Sequence, residues 1–305
     1  MFKITAEGKL ITLHRFASTD GAIPYAGLIQ AINGDLYGTT YAGGSNCVSS
    51  GGCGTVFKIT TAGKLRTLHS FCSQANCADG EYPYAGMVQG TDENFYGTTF
   101  LGGANGSGTV FKMSPSGTLT TLHSFDLADG ENPAAALIQA TDGDFYGTTA
   151  FGGANGYGTL FKITPTGDLT TLHNFDNVDG AVPLAGLVQA TSGSFYGTTS
   201  AGGNINNCGM YNDICGTVFR ISVGLSPFVK TQPTASKVGA AVMVLGTNLA
   251  GVTQVSFNGT VAKFTVVSKS EIKTAVPTGA TTGTVTVKTP KGMLKSNLAF
   301  RVTKR

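Results

Sequence analysis

The chain has 305 residues, of which 44 are glycine, with no tryptophan and only 12% charged side chains. Glycine supplies the positive φ angles of tight turns, so this composition predicts many short strands and excludes long amphipathic helices. No apolar run approaches the roughly 20 residues of a transmembrane helix, and a membrane span is therefore excluded.

The net charge of +3 is unevenly divided along the chain. Residues 1–222 carry 9 basic against 16 acidic side chains, a net −7, whereas residues 223–305 carry 11 basic side chains against Glu271 alone, a net +10. The basic part either attracts an anionic partner, docks on the acidic part, or keeps a small β domain soluble. It lacks interleaved aromatic and basic residues, so no nucleic-acid partner is expected.

A segment of 50 to 58 residues recurs throughout residues 1–222. Its FKI-type triplets begin at Phe2, Phe57, Phe111, Phe161 and Phe219. Its TLH triplets end at His14, His69, His123 and His173, and its YGTT segments begin at Tyr37, Tyr96, Tyr146 and Tyr196. A period of this length is typical of propellers and repeat arrays.

Each repeat contains four candidate strands with alternating apolar and polar residues. In one copy they cover residues 158–164, 168–175, 184–190 and 194–200. Short turns that contain glycine join them, which predicts four-stranded antiparallel meanders. The sequence therefore predicts an all-β fold with a β-propeller of four such repeats, and a linear β-solenoid is the alternative.

The last repeat has no TLH strand of its own. Residues 10–16 could supply that strand and so close the ring with strands from both ends of the repeat region. We then expect residues 216–222 to take the third position of this blade and residues 1–5 to be displaced.

The repeated motifs end at Ser222, and the sequence pattern changes after it. Residues 223–232 form a predicted linker, and residues 233–305 contain short strands separated by Gly, Asn and Pro turns. This spacing predicts an immunoglobulin-like β-sandwich as a second domain.

Six cysteines form three local pairs, Cys47 with Cys53, Cys72 with Cys77, and Cys208 with Cys215. Each pair lies within one inter-strand loop, which predicts disulfides and an oxidising compartment. Zinc is the competing interpretation, but none of the spacings is CxxC and no metal is expected there. We predict an extracellular or cell-surface protein. The opening MFKIT aligns with later repeats, so we expect an export signal to have been trimmed.

Two resemblances cover almost the whole chain. GTLFKITPTGDLTTLHNF, followed by DG, P, FYGTT and GG, resembles the GloVer tandem repeat of bacterial secreted or surface proteins over residues 1–222. GTNL, VSFNG, GATTG and the final FRV occur in the order seen in IPT/TIG domains over residues 233–302. The resemblances imply an exported protein of unassigned activity and a C-terminal interaction module.

The predicted binding surface is the face that carries the loops after YGTT, especially loops 41–53 and 200–215, because loops on a rigid scaffold commonly bind ligands. The candidate ligand-binding residues are Tyr41, Phe100, Phe151, Tyr157, Tyr211 and Asp213. The aromatic ones are suited to stacking on a sugar ring.

Other polar residues occur once per repeat, which favours structural roles. The histidines are expected to satisfy strand-edge hydrogen bonds, Asp20, Asp79, Asp129 and Asp179 to cap turns, and Gln30, Gln89, Gln139 and Gln189 to bridge neighbouring blades. No cofactor is expected. Calcium is a minor hypothesis, with Glu81, Asp126, Glu131 and Asp176 as candidate ligands.

No nucleophile elbow, phosphate loop or glycosidase carboxylate pair is recognisable. The sequence therefore predicts a non-enzymatic extracellular binding or adhesion module that recognises polysaccharide or a cell-surface protein. One alternative is a carbohydrate-active hydrolase or lyase, whose carboxylate would break the repeat pattern as Glu93 and Asp213 do. A structural component of an envelope or matrix assembly is the other.

Overall fold

The computed structural model describes residues 1–46, 52–203 and 215–303, and the elements below refer to these ranges. Strands dominate, and a 3-10 turn at Ala75–Cys77 is the one helical element in the described ranges. Nothing in this part of the chain is a helix with the length and apolar character needed to cross a bilayer.

Three sheets each contain four antiparallel strands hydrogen-bonded in sequence order. The first consists of β3 (Ile29–Gln30), β4 (Leu36–Thr40), β5 (Thr55–Ile59) and β6 (Leu65–Ser70). The second consists of β7 (Val88–Gln89), β8 (Phe95–Thr99), β9 (Thr109–Met113) and β10 (Leu119–Ser124). The third consists of β11 (Ile138–Gln139), β12 (Phe145–Thr149), β13 (Thr159–Ile163) and β14 (Leu169–Asn174). These sheets are the blades of a β-propeller, and the predicted all-β fold is confirmed.

Aromatic rings pack each blade against the next. Tyr37 stacks on Phe95 with ring centroids 4.1 Å apart, and Tyr96 stacks on Phe145 at 3.9 Å. Phe71 meets Phe111 edge-on at 5.4 Å. Because these rings are fully buried, they form the core between the blades.

The first two strands, β1 (Phe2–Ile4) and β2 (Leu10–Thr12), pair with each other in a two-stranded sheet. The last repeat forms a three-stranded sheet of β15 (Val188–Gln189), β16 (Phe195–Thr198) and β17 (Val218–Ile221). As predicted, β17 takes the third position of that sheet.

The predicted closing strand is wrong for the described residues, because β2 pairs with β1 and not with β17. A short turn joins β1 to β2, in which the Thr5 N–H donates to Lys9 O at 3.0 Å. Closing so short a loop costs little conformational entropy, whereas pairing β2 with β17 would close a loop of about two hundred residues. The local pairing is therefore favoured.

The chain divides into two compact units. The first comprises Met1–Gln139, Gly143–Val188 and Gly197–Phe219, and the second comprises Ala140–Asp142, Gln189–Tyr196 and Arg220–Arg305. The strands of residues 230–302 in the second unit are β18 (Lys230–Gln232), β19 (Ala235–Ser236), β20 (Ala241–Leu245), β21 (Gln254–Phe257), β22 (Thr260–Ala262), β23 (Phe264–Ser268), β24 (Glu271–Ala275), β25 (Val285–Thr289), β26 (Gly292–Lys295) and β27 (Arg301–Val302).

Two four-stranded sheets of this second unit share one hydrophobic core. Their strand orders are β18-β20-β24-β23 and β22-β21-β25-β26. Val244 and Ile272 of the first sheet belong to the same buried cluster as Phe257 and Val287 of the second. Strand β18 lies in the stretch predicted as a linker and pairs with β20.

Candidate functional site

The four histidines form a repeated structural pair with aspartate. Histidine Nε2 lies 2.8, 2.9, 2.7 and 2.6 Å from aspartate Oδ2 in the pairs His14–Asp20, His69–Asp79, His123–Asp129 and His173–Asp179. The other oxygen of each aspartate accepts a backbone N–H from a residue three to five positions earlier in the chain, such as that of Gln74 at 3.2 Å. The aspartates cap turns as predicted, whereas the histidine side chains bond to aspartate and not to strand edges, a pairing that was not predicted.

Gln89, Gln139 and Gln189 connect neighbouring blades, as the sequence predicts, whereas Gln30 donates to Gly34 O within its own hairpin. Gln89 Oε1 accepts the Ile32 N–H at 3.0 Å, and Gln139 Oε1 accepts the Thr91 N–H at 2.9 Å. Since each bond joins one blade to the preceding one, these glutamines stabilise the stack and are not ligand-binding candidates.

Five aromatic rings from the first two repeats form a continuous group, here called the aromatic cluster. Its members are Tyr25, Tyr41, Tyr82, Tyr84 and Phe100. Tyr41 stacks on Tyr82 with centroids 4.9 Å apart, and Tyr25 lies 5.4 Å from Tyr41 and 5.3 Å from Tyr84. Phe100 extends the group at 6.2 Å from Tyr84. Tyr25 is 60% exposed and Tyr84 is 44% exposed, so the cluster opens to solvent.

The aromatic cluster breaks the repeat symmetry. The positions of Tyr82, Tyr84 and Phe100 are occupied by Asn132, Ala134 and Ala150 in the third repeat and by Val182, Leu184 and Ser200 in the fourth. A blade therefore folds without these rings, and blade packing does not require them. This separates the cluster from Tyr37 and Tyr96, which lie in the core.

Glu81 lies beside the aromatic cluster. Its backbone pairs with Leu101, with the Glu81 N–H donating to Leu101 O at 2.9 Å. Burial raises the pKa of the Glu81 carboxyl above its ordinary value. Burial also raises the pKa of the Tyr41 phenol, with smaller contributions from Tyr82, Tyr25 and the Glu81 carboxylate. Glu81 therefore holds a proton more readily than an exposed glutamate, and Tyr41 remains a hydrogen-bond donor.

The backbone fixes the position of Tyr82. Its N–H donates to Cys53 O at 2.8 Å, and its carbonyl accepts the Phe100 N–H at 2.9 Å. The residue has a φ of 56°, in the left-handed region. Ile23 and Val182 have nearly the same φ at the same repeat position, so this strain belongs to the repeat and is not specific to the site.

The structure brings together some of the predicted ligand-binding residues. Tyr41 and Phe100 both belong to the aromatic cluster. Phe151 and Tyr157 are each 41% exposed in the third repeat, and neither has an aromatic neighbour among the described residues. Tyr211 and Asp213 lie outside the described residues.

Sequence reasoning missed Tyr25, Tyr82 and Tyr84, and it considered Glu81 only as a possible calcium ligand. The available signal was the replacement of the tyrosines in other repeats, by Ala134 and Leu184 at the position of Tyr25 and Tyr84 and by Ile23, Asn132 and Val182 at the position of Tyr82. The sequence interpretation concentrated on loop length, whereas Tyr25, Tyr82 and Tyr84 lie in the connection that precedes the short first strand of a blade.

Cys72 and Cys77 are disulfide-bonded to each other. Cys53 and Cys215 are disulfide-bonded as well, and their predicted partners, Cys47 and Cys208, lie outside the described residues. The sulfur atoms of Cys53, Cys72 and Cys77 and a carboxylate oxygen of Glu81 all lie within 4.8 Å of one another. Disulfide sulfur is not a thiolate, so the oxidised group is not a zinc site.

The predicted calcium ligands do not gather in the described part of the chain. Apart from Glu81, none of them joins the group around Cys53, which is the one group of potential ligands found there. Asp126 Oδ1 accepts the N–H groups of Ala128 and Asp129, at 2.9 and 3.1 Å, and so caps its own turn. Calcium binding remains a prediction.

Several solved structures are similar to this chain. A periplasmic gluconolactonase of Pseudomonas aeruginosa is 12% identical, with a TM-score of 0.43, and the match covers 100% of this chain and 93% of that one. A putative 6-phosphogluconolactonase of Bacteroides uniformis is 13% identical, with a TM-score of 0.43 and coverage of 95% and 84%. A luciferin-regenerating enzyme is 14% identical, with a TM-score of 0.40, and the match covers 66% of this chain and 62% of that one.

These similar structures are of enzymes, and this finding corrects two sequence-based predictions. The prediction of a non-enzymatic binding and adhesion module is wrong, as is the prediction that the chain is not an enzyme. The prediction gave structural roles to the polar residues that occur once per repeat and found no recognised catalytic motif elsewhere. At such low identity the likeness concerns the fold alone, so no residue role is transferred.

Sequence comparison identifies the family. No curated protein matches the chain in sequence. The family model described as the Gloeobacter/Verrucomicrobia repeat matches residues 47–267, well over half of the chain. This agrees with the resemblance carried by the FKI, TLH and YGTT segments. The chain belongs to the Gloeobacter/Verrucomicrobia repeat family.

Proposed function

We propose that the chain is a hydrolase of carbohydrate-derived esters or lactones, with Glu81 as the acid–base residue and the aromatic cluster as the substrate platform. One observation carries the proposal: a carboxyl group with a raised pKa lies beside solvent-open aromatic rings that blade packing does not require. Residues with perturbed pKa values at such positions are candidates for catalysis.

The exposed faces of Tyr25 and Tyr84 suit a sugar-derived ring. A pyranose or lactone ring has an apolar face that stacks on an aromatic side chain, and its hydroxyl groups reach phenol oxygens at the edge. Tyrosine offers both a large apolar surface and a polar tip. The inner pair, Tyr41 and Tyr82, is stacked and less exposed, so Tyr25 and Tyr84 offer most of the exposed ring surface.

Hydrolysis of an ester or lactone needs one group that first accepts and then donates a proton. The Glu81 carboxylate takes a proton from water while the water oxygen attacks the carbonyl carbon. Protonated Glu81 then gives that proton to the leaving alkoxide, and the C–O bond breaks. The Tyr41 phenol is protonated near neutral pH, its raised pKa extends this to higher pH, and its O–H can donate a hydrogen bond to the oxyanion.

An ester or lactone fits the site better than a glycoside. Glycoside hydrolysis ordinarily uses two carboxyl groups about 5 to 10 Å apart. Glu81 is the carboxylate whose charge contributes to the raised pKa of Tyr41. A single carboxylate is sufficient for the hydrolysis of an activated carbonyl group.

A hydrolysis screen tests the proposal. We expect activity on δ-lactones of sugar acids or on acylated monosaccharides, and a loss of about 100-fold or more in kcat for Glu81→Gln, the size of a general-base contribution. The rate should rise with pH through the raised pKa of Glu81, because the ionised carboxylate is the form that accepts a proton from the attacking water. Glu131→Gln is the matched control, since Glu131 occupies the same position in the next repeat. No activity across the panel, or an equal loss in both variants, would contradict the proposal.

Two finer statements are also proposals. Export to an oxidising compartment is supported by the disulfides at Cys72, Cys77, Cys53 and Cys215. Detection of the native protein only in the reducing cytoplasm would overturn it. An IPT/TIG identity for residues 233–302 is supported by the two sheets with a common core, and a solved structure with a different strand order would exclude it.

A further inference from the structure

Cys53 is in direct contact with the proposed acid–base residue. Its sulfur lies 3.3 Å from Glu81 Oε2, and the cysteine is only 1% exposed. The backbone holds the two residues together, because the Tyr82 N–H donates to Cys53 O at 2.8 Å. This backbone bond does not depend on the oxidation state of the sulfur.

The contact changes in chemical character when the sulfur is reduced. Cys53 is disulfide-bonded, and a disulfide sulfur has no hydrogen to donate. A thiol S–H at the same distance donates a hydrogen bond to a carboxylate oxygen. Other titratable groups that face Glu81 are the Tyr41 phenol and, in the reduced protein, the thiols of Cys72 and Cys77.

We propose that the disulfide at Cys53 withholds a hydrogen bond from Glu81 and that reduction to the thiol supplies it. With a phosphine as reductant, the S–S bond breaks and both sulfur atoms gain protons, while the phosphine becomes its oxide with oxygen from water. The new Cys53 thiol then donates to Glu81 Oε2. A hydrogen bond to the charged form favours ionisation, so reduction lowers the pH at which Glu81 loses its proton.

The next repeat provides an internal control. Glu131 pairs with Phe151 as Glu81 pairs with Leu101. The Asn132 N–H donates to Ser107 O at 2.9 Å, in the place of the bond from Tyr82 to Cys53. Glu131 therefore has the same backbone environment without a redox-active neighbour.

Carboxyl ¹³C NMR of the full chain tests the inference. Both glutamates are titrated before and after reduction, with assignments from Glu81→Gln and Glu131→Gln. We expect the pKa of Glu81 to fall by about one pH unit on reduction, the size of one charge-assisted hydrogen bond. The pKa of Glu131 should stay unchanged. An unchanged Glu81 with a freed Cys53 thiol, or an equal change at both glutamates, would overturn the inference.

Two variants decide the matter if reduction unfolds the wild type. Cys53→Ser provides a permanent hydroxyl donor, so Glu81 should titrate low in air and in reductant alike. Cys53→Ala provides no donor, so Glu81 should titrate high in both.

The double variant Cys72→Ala/Cys77→Ala tests whether the other disulfide contributes. If this variant abolishes the change in the pKa of Glu81 on reduction, Cys53 is not the donor.

The inference rests on the proposed function only for its effect on catalysis. NMR titration needs no substrate, so a pKa change without hydrolysis would refute the proposed function and leave the contact intact. If hydrolysis depends on Glu81 but reduction does not change the pKa of Glu81, the proposed function stands and the inference about Cys53 is overturned.

Discussion

Asp79 has the most enclosed carboxylate of the four His–Asp pairs, with a side chain that is 0% exposed. Burial raises its pKa, but hydrogen bonds from His69, from Ser73 and from the Gln74 N–H outweigh burial and hold the pKa below its ordinary value. The ionised form therefore stabilises the fold. This contribution is fully present above the unfolded-state pKa of about 3.9 and is lost as the pH falls through the lower folded-state pKa.

We predict that Asp79→Asn lowers the free energy of unfolding at pH 7 by about 3 kcal/mol. The amide cannot accept at both positions, so one of the buried donors from His69 or Ser73 loses its partner. Denaturant unfolding from pH 7 to pH 3 measures the effect, and the wild type should lose its advantage over the variant below about pH 4.

Asp179 is the matched control, since its side chain is 42% exposed in the same pair. Solvent screens this ion pair, so Asp179→Asn should cost less than about 1 kcal/mol. Equal losses in the two variants would show that burial does not set the strength of these pairs.

At this scale the sequence could predict which residues repeat but not how they meet. The structural roles of His69 and Asp79 follow from their periodicity. Their contact does not, because ten residues and a change of chain direction separate them. The aromatic cluster could be predicted in part, because Tyr41 and Phe100 lie at a position whose residue differs between repeats. Tyr25 could not be predicted, because it joins them only through the packing of two repeats side by side.

Within each blade, the glycine of YGTT makes room for the phenylalanine of the next strand. A Cβ at Gly147 would lie 2.7 Å from the Phe161 ring and 2.7 Å from Leu137. Gly38 and Gly97 are as closely approached by Phe57 and Phe111. Since the crowding atoms belong to buried core side chains, they have little freedom to move.

We therefore predict that Gly147→Ala destabilises the fold by about 1 to 3 kcal/mol through overpacking. Thermal unfolding measures the loss. Gly27→Ala is the control, because no atom lies within 4 Å of a Cβ there and its φ is not positive. The third repeat already has Ala136 at that position. A neutral Gly147→Ala would mean that the blade core is looser than the distances indicate.

Element bounds were only partly predictable from the sequence. The second to fourth strands of each blade match their apolar alternation, but the first strand is two residues long, as at Val188–Gln189, where seven were predicted. The hydrophobic pattern alone does not show where this first strand begins and ends. The partner of β2 was also unpredictable from motif order, because chain connectivity favours its neighbour β1.

For the whole molecule, the division between compact units does not coincide with the change in composition near residue 223. Gln189–Tyr196 belongs to the YGTT region by sequence, yet it groups with Arg220–Arg305. Within that second unit, the Phe228 N–H donates to Thr191 O at 3.0 Å, and Thr191 and Thr247 share a 2.8 Å hydrogen bond. Contacts between residues so far apart in sequence cannot be predicted from amino-acid composition.

The two units have separate cores, which leads to a thermodynamic prediction. Phe111 lies in a buried cluster with Phe71 and Phe95, whereas Phe257 lies in a different cluster with Val244. Residues that share one core tend to unfold together in a single cooperative transition. In repeat proteins, each repeat interacts chiefly with its neighbours. We expect calorimetry of the full chain to resolve two transitions.

Truncation of one ring should lower one transition only. Phe111→Ala and Phe257→Ala each remove a fully buried ring, with an expected cost of about 3 to 5 kcal/mol to the unit that contains it. Each variant serves as the control for the other, because the chemical change is the same. If both variants lower the same single transition, the chain unfolds as one cooperative body and the cores are coupled, since damage in either would then reach the other.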